Sequence, residues 1–274
     1  PCGTQLQHLL MESEAEYQDN IRHRRAMIRK YGPTPAEVES FPRHGDPCTL
    51  WDFFPPAYQC HRVQRLGTLG HGGKYVCGMA RIAAKKTCVV YSFGISSDSS
   101  FEADVLQRAP GCEVFGCDYS MKSFGPQITA NPALAPRAHF VPYALGAVDH
   151  ALTNRPQIYT LQLLMRMNGH AFIDILKVDI EGSEFKALET FLEAFPSSEV
   201  LPFGQLQLEI HAPGGMEYHH FSLFLTWWER LENVGLRPFF SEANPVYVNS
   251  MRSKPHLSEY SFINTRGTHA LVAD

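Results

Sequence analysis

The chain has 274 residues, 44% of them hydrophobic and 19% charged, with a net charge of −4 at neutral pH. That size and apolar content fit one large domain or two small ones around a sizeable core. The slight negative charge speaks against a broad nucleic-acid-binding face, and no apolar run approaches the roughly 20 residues that span a bilayer.

In chain order, residues 14–30 predict one polar helix that stops at Tyr31-Gly32-Pro33. Arg22, His23, Arg24, Arg25, Arg29 and Lys30 make it basic, which suits either a solvated face or an acidic partner. Residues 32–57 are irregular, but Trp51, Phe53 and Phe54 predict that they pack on the core. From Thr87 the pattern alternates. Strands are predicted over 88–93, 113–118, 172–180 and 205–211, with one more held within 139–148, and helices over 101–108, 161–167 and 221–234. A further helix begins at Glu184, and strands over 236–240 and 260–263 close the sheet. Such alternation predicts a doubly wound α/β sheet with helices on both faces. Residues 1–45 read as a helical extension and 46–274 as the sheet domain.

Seven cysteines are present: Cys2, Cys48, Cys60, Cys77, Cys88, Cys112 and Cys117. None forms a C-x-x-C pair, which argues against a zinc knuckle. Two readings stay open: pairing in an oxidising compartment with one thiol left over, or seven free thiols. Because the chain starts at Pro1, it reads as processed or truncated, with a signal or membrane anchor as a candidate for what was removed.

The most informative stretch is Ile173-Asp174-Ile175-Leu176-Lys177-Val178-Asp179-Ile180-Glu181-Gly182-Ser183-Glu184. It reads as a buried strand that ends at an acidic pair and turns into an amphipathic helix. Ligands of open α/β sheets sit outside the carboxyl ends of such strands, so Asp179 and Glu181 are placed where chemistry occurs. The strand over 88–93 ends in Ser92-Phe93-Gly94, a poor dinucleotide fingerprint that suits a cofactor without phosphates. Asp118 ends the next strand, where an acidic side chain can accept both ribose hydroxyls of an adenosine.

The ordered set Gly72-Gly73-Lys74-Tyr75-Val76-Cys77, Val90-Tyr91-Ser92-Phe93-Gly94-Ile95, Ser100-Phe101-Glu102, Phe115-Gly116-Cys117-Asp118, Leu176 to Glu184 and Leu208-Glu209-Ile210-His211 resembles the FkbM-type class I methyltransferases. The resemblance is strongest to a eukaryotic branch that includes methyltransferase-like protein 24, and it covers about residues 46–265. It implies a Rossmann-like sheet, mostly parallel with a reversed last strand, and S-adenosylmethionine as methyl donor. It further implies that Ser92, Phe93 and Gly94 line the methionine end, that Asp118 holds the ribose and that Tyr143, Ala144 and Leu145 flank the adenine. Glu102, Tyr119 and Asp179 are further candidate donor contacts, and Lys74, after Gly72-Gly73, either contacts the donor carboxylate or simply follows a turn. His71 stands where related sequences are expected to carry an aspartate.

A methyl transfer is an in-line displacement that needs an aligned acceptor stripped of its proton. Glu209 and His211 are two apart, hence on one face of a strand, and Asp179 and Glu181 bear the same relation on the neighbouring one. Two uses of this cluster compete. His211 acts as general base, oriented by Asp179 or Glu209; or Asp179, Glu209 and His211 hold a divalent metal that acidifies the acceptor. Glu184 suits the dipole of its helix. Glu242 and Asn244 belong at a site rim, the pair His219-His220 at a helix start, and Trp227 and Trp228 in the core.

The expected function is S-adenosylmethionine-dependent O-methylation of a hydroxyl on a glycan, protein or small molecule in the secretory pathway (Golgi or ER lumen, or extracellular). The alternatives are N-methylation of a protein or small molecule, a methyltransferase-fold binding protein without activity, and a cytoplasmic location.

Overall fold

Ile173, Ile175, Leu176 and Val178 are wholly buried, as a strand covered on both faces must be. They belong to the centre of a seven-stranded sheet. The computed structural model describes residues 2–32, 47–70, 72–150, 156–195, 199–212, 218, 220–253 and 257–273. Its helices are α1 (Cys2–Tyr31), α2 (Met79–Ala83), α3 (Ser100–Arg108), α4 (Pro126–Thr129), α5 (Leu161–Asn168), α6 (Glu184–Glu193), α7 (Phe221–Asn233) and α8 (Pro245–Asn249). Its strands are β1 (Val63–Leu66), β2 (Lys74–Cys77), β3 (Cys88–Phe93), β4 (Cys112–Cys117), β5 (Ala138–Val141), β6 (Tyr143–Leu145), β7 (Gln157–Tyr159), β8 (Ile173–Val178), β9 (Phe203–His211), β10 (Leu236–Ala243) and β11 (Leu257–Asn264).

The main sheet runs β10-β11-β9-β8-β3-β4-β5. Neighbours from β9 to β5 are parallel, and β11 is antiparallel to both β9 and β10. This is the Rossmann-like α/β sheet with a reversed last strand. One apolar cluster gathers Phe54, Phe185, Phe224, Trp227 and Trp228, and the other gathers Val90, Phe101, Leu106 and Ile175. The aromatics before β1 do pack on the core: Phe54 is 1% exposed, its ring 4.9 Å from that of Phe224.

Three elements differ from their sequence pattern. The stretch 139–148, expected to hold one strand, holds most of β5 and all of β6, parted by Pro142, which cannot donate to a ladder. β8 ends at Val178, two residues early. β9 alternates in sequence, yet all nine of its positions are buried. Its polar face is covered by β2: Gln205 Oε1 accepts from Cys77 N at 2.9 Å, and Gln207 Nε2 donates to Tyr75 O at 3.2 Å. Amide side chains there complete the hydrogen bonding of a strand that crosses above them.

α1 is longer than its pattern suggested and is anchored by charge. Arg24 Nη2 donates to Glu232 Oε2 of α7 at 2.6 Å, Tyr17 Oη donates to Glu232 Oε1, and Arg237 of β10 binds both oxygens of Glu14. Among the described residues two disulfides are present: Cys60–Cys77, and Cys88–Cys112 across the paired starts of β3 and β4. Cys117 is a buried free thiol. The side chains of Cys2 and Cys48 lie outside the described residues.

Candidate active site

A cavity of about 770 Å³ opens at the carboxyl ends of β3, β4, β8 and β9. It falls within the ordinary size of a small-molecule site. Gly94, Asp118, Tyr119, Ala144, Leu145, Asp179, Glu209 and His211 border it. So do Tyr143, Lys177, Glu181 and Asn244. Among the expected site residues, Lys74, Ser92, Phe93 and Glu102 do not. His71 and His219 lie outside the described residues.

The turn after β3 needs its glycine. Gly94 has φ +71°, and a Cβ there would sit 1.6 Å from the Asp179 carbonyl oxygen. Backbone hydrogen bonds fix the crossing on both sides: Gly94 N to Cys117 O at 3.1 Å, and Asp179 N to Phe93 O at 3.1 Å. Asp118 braces the same turn. Its Oδ2 accepts from Ile95 N at 3.0 Å and Ser96 N at 2.8 Å, and its Oδ1 accepts from Ser120 N and Oγ at 2.8 and 2.7 Å. Burial alone would raise this carboxyl group. The hydrogen bonds from Ser96, Ser120 and Ile95 outweigh burial and hold it below its usual range. Asp118 therefore shapes the loop as well as bordering the cavity.

Ser92 and Glu102 lie under the loop: Ser92 Oγ donates to Glu102 Oε1, and Glu102 is fully buried. Lys177 Nζ lies 3.4 Å from the same Glu102 oxygen and donates to Gly94 O at 2.8 Å. Sequence reasoning passed over Lys177, although a charged residue inside an apolar strand, two before Asp179, was a usable signal. Lys74 was expected to meet the donor carboxylate. It is instead committed to Glu259 of β11 and to Asp179 Oδ2 at 3.5 Å, and it is 2% exposed.

The acidic pair of β8 meets His211 by a turn and not by strand alternation. β8 has ended before Asp179, and Glu181 takes a left-handed φ of +54°. This turn brings Glu181 Oε2 to 3.4 Å from His211 Nε2. On the other side of the ring, His211 Nδ1 faces Glu184 Oε1 at 3.1 Å, and that oxygen also accepts from His211 N at 2.8 Å. Glu184 Oε2 accepts from Gly182 N at 2.7 Å, and the side chain is fully buried. The carboxylate that orients His211 is thus Glu184, in place of the expected Asp179 or Glu209. A Glu in the first turn of a helix reads as a dipole partner, which hid this contact.

The charges sort themselves by neighbour. Burial would lower the His211 imidazole, but the Glu184 hydrogen bond and charge, aided by Glu209 and Asp179, push it up to about 9. Burial together with the charges of Glu259 and Asp179 pushes Glu209 up to about 8. Asp179 moves the other way: burial would raise it, but Lys74 and Lys177 hold it below its usual range. Glu209 also accepts from Asn244 Nδ2 at 2.8 Å, and Asn244 caps α8 through Val246 N and Tyr247 N. Glu242, the other expected rim residue, pairs with Arg65 at 3.5 Å and does not border the cavity.

The expected metal set, Asp179, Glu209 and His211, is split between two groups. Ligand atoms of Asp179, Glu181 and His211 lie within 4.8 Å of one another, as do those of Asp179, Glu209 and Glu259. The second group already holds the Lys74 ammonium. The first borders the cavity and has His211 Nδ1 held by a carboxylate, as metal-ligating imidazoles are.

A family model described as a methyltransferase domain matches residues 22–263. A probable methyltransferase-like protein 24 from Rattus norvegicus is 30% identical over 139 residues, which is 49% of this chain and 36% of that protein. The Homo sapiens counterpart is 30% identical over 142 residues, 48% of this chain and 35% of that protein. The match therefore spans about a third of the length of these curated relatives. Among solved structures, a fibrillarin/Nop5p complex aligns with a TM-score of 0.40 and 10% identity, covering 66% of this chain and 74% of that one.

Proposed function

Because the chain belongs to the methyltransferase-domain family, we propose that it transfers the methyl group of S-adenosylmethionine to a hydroxyl group. The observation that carries this reading is the cavity itself. It is bordered by the Gly94 turn and Asp118 at one part and by His211, held from behind by the buried Glu184, at another. The residues fit the donor: an acid-rich lining suits a sulfonium cation, and the Gly94 turn, set by its close approach to Asp179, brings the loop to the cavity border.

When bound, the donor supplies an electrophilic methyl group. His211 Nε2 takes the acceptor proton as the oxygen attacks. Glu184 holds the ring by Nδ1 and stabilises the imidazolium that results, as the carboxylate partner of a catalytic histidine does. In the free protein His211 is charged at neutral pH; a cation in the same cavity lowers its affinity for the proton and readies it as a base. Asp179, kept ionised by Lys74 and Lys177, faces the positive charge of the donor.

Within the family we place the chain in the FkbM-type branch, on the block Leu176 to Glu184. The acceptor is a glycan, protein or small molecule of the secretory pathway, in keeping with two disulfides. Incubation with labelled donor and separate glycan, protein and metabolite fractions tests this. Label recovered as a methyl ether in one fraction is expected. Base-stable label on protein nitrogen points to N-methylation, and donor binding with no transfer to any fraction points to a non-catalytic binding protein.

A second reading is favoured by the grouping of Asp179, Glu181 and His211. Those residues would hold a divalent cation that acidifies the acceptor hydroxyl. Activity that survives thorough chelation removes it.

A further inference from the structure

Resting on the donor reading above, we propose that Lys177 binds the α-carboxylate of the donor's amino-acid end. The lining is strongly acidic: Asp98, Asp118, Asp179, Glu181 and Glu209 all border the cavity. A ligand carboxylate is repelled over most of such a surface. Lys177 and His211 are the cationic side chains bordering it among the described residues. His211 is enclosed by Glu181 and Glu184, and Lys74, the cation expected for this task, is held by Glu259 and Asp179 away from the lining.

Lys177 is built for the role. It is 4% exposed, paired in register with Ser92 across β3 and β8, and pinned at the Gly94 turn. An ammonium carries three donors. One goes to Gly94 O and one toward Glu102 Oε1. The third has no partner among the described residues, at the border of the cavity. Glu102, braced by Ser92 Oγ, keeps the side chain from swinging, so the contact is prepared before a ligand arrives.

Calorimetry with three probes tests this: S-adenosylhomocysteine, its decarboxylated analogue, and methylthioadenosine, which lacks the amino-acid end. The unaltered protein should bind S-adenosylhomocysteine at least about tenfold tighter than the decarboxylated analogue, the scale of one hydrogen bond to a charged group. Lys177→Met alone strands Glu102 in the core, so the variant to use is Lys177→Met with Glu102→Gln, which removes both charges of the buried pair. It should lose the preference and keep its affinity for methylthioadenosine, and Lys177→Arg should keep the preference. Equal binding of the first two probes by the unaltered protein overturns the assignment, whatever the variants do, and so does a preference that survives in the double variant. Binding of none of the three sinks the donor reading beneath it, a separate and recognisable result.

Discussion

At the scale of the residue, the site rests on one buried carboxylate. Glu184 accepts from two backbone amides and faces His211 Nδ1, so it fixes both the ring and the turn before it. Its charge is also the main reason that the imidazole titrates near 9 and not near its ordinary value. Turnover at limiting substrate reports the free enzyme, in which a base must be neutral to act. The rate should therefore rise with pH toward about 9 and then level. Glu184→Gln keeps the shape and removes the charge. The midpoint of its pH profile should fall by about a unit or more, since one unit corresponds to roughly 1.4 kcal/mol of charge interaction. A rate that drops with its midpoint unmoved would reduce Glu184 to a packing role.

At the scale of the element, the turn from β8 into α6 brings the acidic pair of the candidate site and a strained backbone together. Glu181 holds a left-handed backbone that costs an ordinary side chain on the order of 1 kcal/mol, and its side chain is 88% exposed, so packing does not explain its choice. Glu181→Gly should stabilise the fold by up to about 1 kcal/mol in denaturant titration while slowing transfer. A variant that is both less stable and fully active would remove Glu181 from the site. The same turn marks how far sequence could reach. The strand and helix on either side were legible, because buried parallel strands are continuous apolar runs and helices repeat at 3.6 residues. The convergence of Asp179 and Glu181 on His211 was legible as a neighbourhood and not as a geometry. Strand periodicity put the pair on one face, whereas a left-handed residue beyond the strand end does it, and a non-glycine φ above zero leaves no mark in composition. Lys74 followed a Gly-Gly turn and read as a donor contact, but its partner Glu259 is 185 residues away in sequence. Pairings over such distances have no local signal. Gly94 and Asp118 were legible as strand-end residues beside the cavity, but Asp118 read as a ribose contact and not as the brace of the turn.

At the scale of the whole molecule, charge ties the periphery to the sheet and sets how the fold responds to pH. α1 is docked through Arg24 and Glu232, which are 4% and 7% exposed. Arg24→Met leaves Glu232 buried with a charge and without its ion partner, and breaking such a pair costs about 3–5 kcal/mol. Denaturant titration should register a loss of that size, and Arg24→Met with Glu232→Gln should recover much of it. Within the site, Glu209 is raised from 4.5 to about 8 and His211 from 6.5 to about 9. Both bind protons more tightly folded than unfolded, so their contribution is whole below the unfolded values and disappears as pH climbs through the folded ones. Asp98, Asp118 and Asp179 are depressed below 3.8, so their contribution is whole above that value and disappears as pH falls below it. His170 and His269 are lowered by burial and lose their contribution on the acid side of 6.5. Alkaline titration is the cleaner limb, because Glu209 and His211 act in the same direction there. The melting temperature of the donor-free protein should fall as pH rises from 6.5 to about 9, the span set by the two His211 values. Glu209→Gln and His211→Asn should each flatten that decline. A melting temperature that stays level across the interval in the unaltered protein would mean that the acidic cluster and its histidine do not titrate as this packing requires.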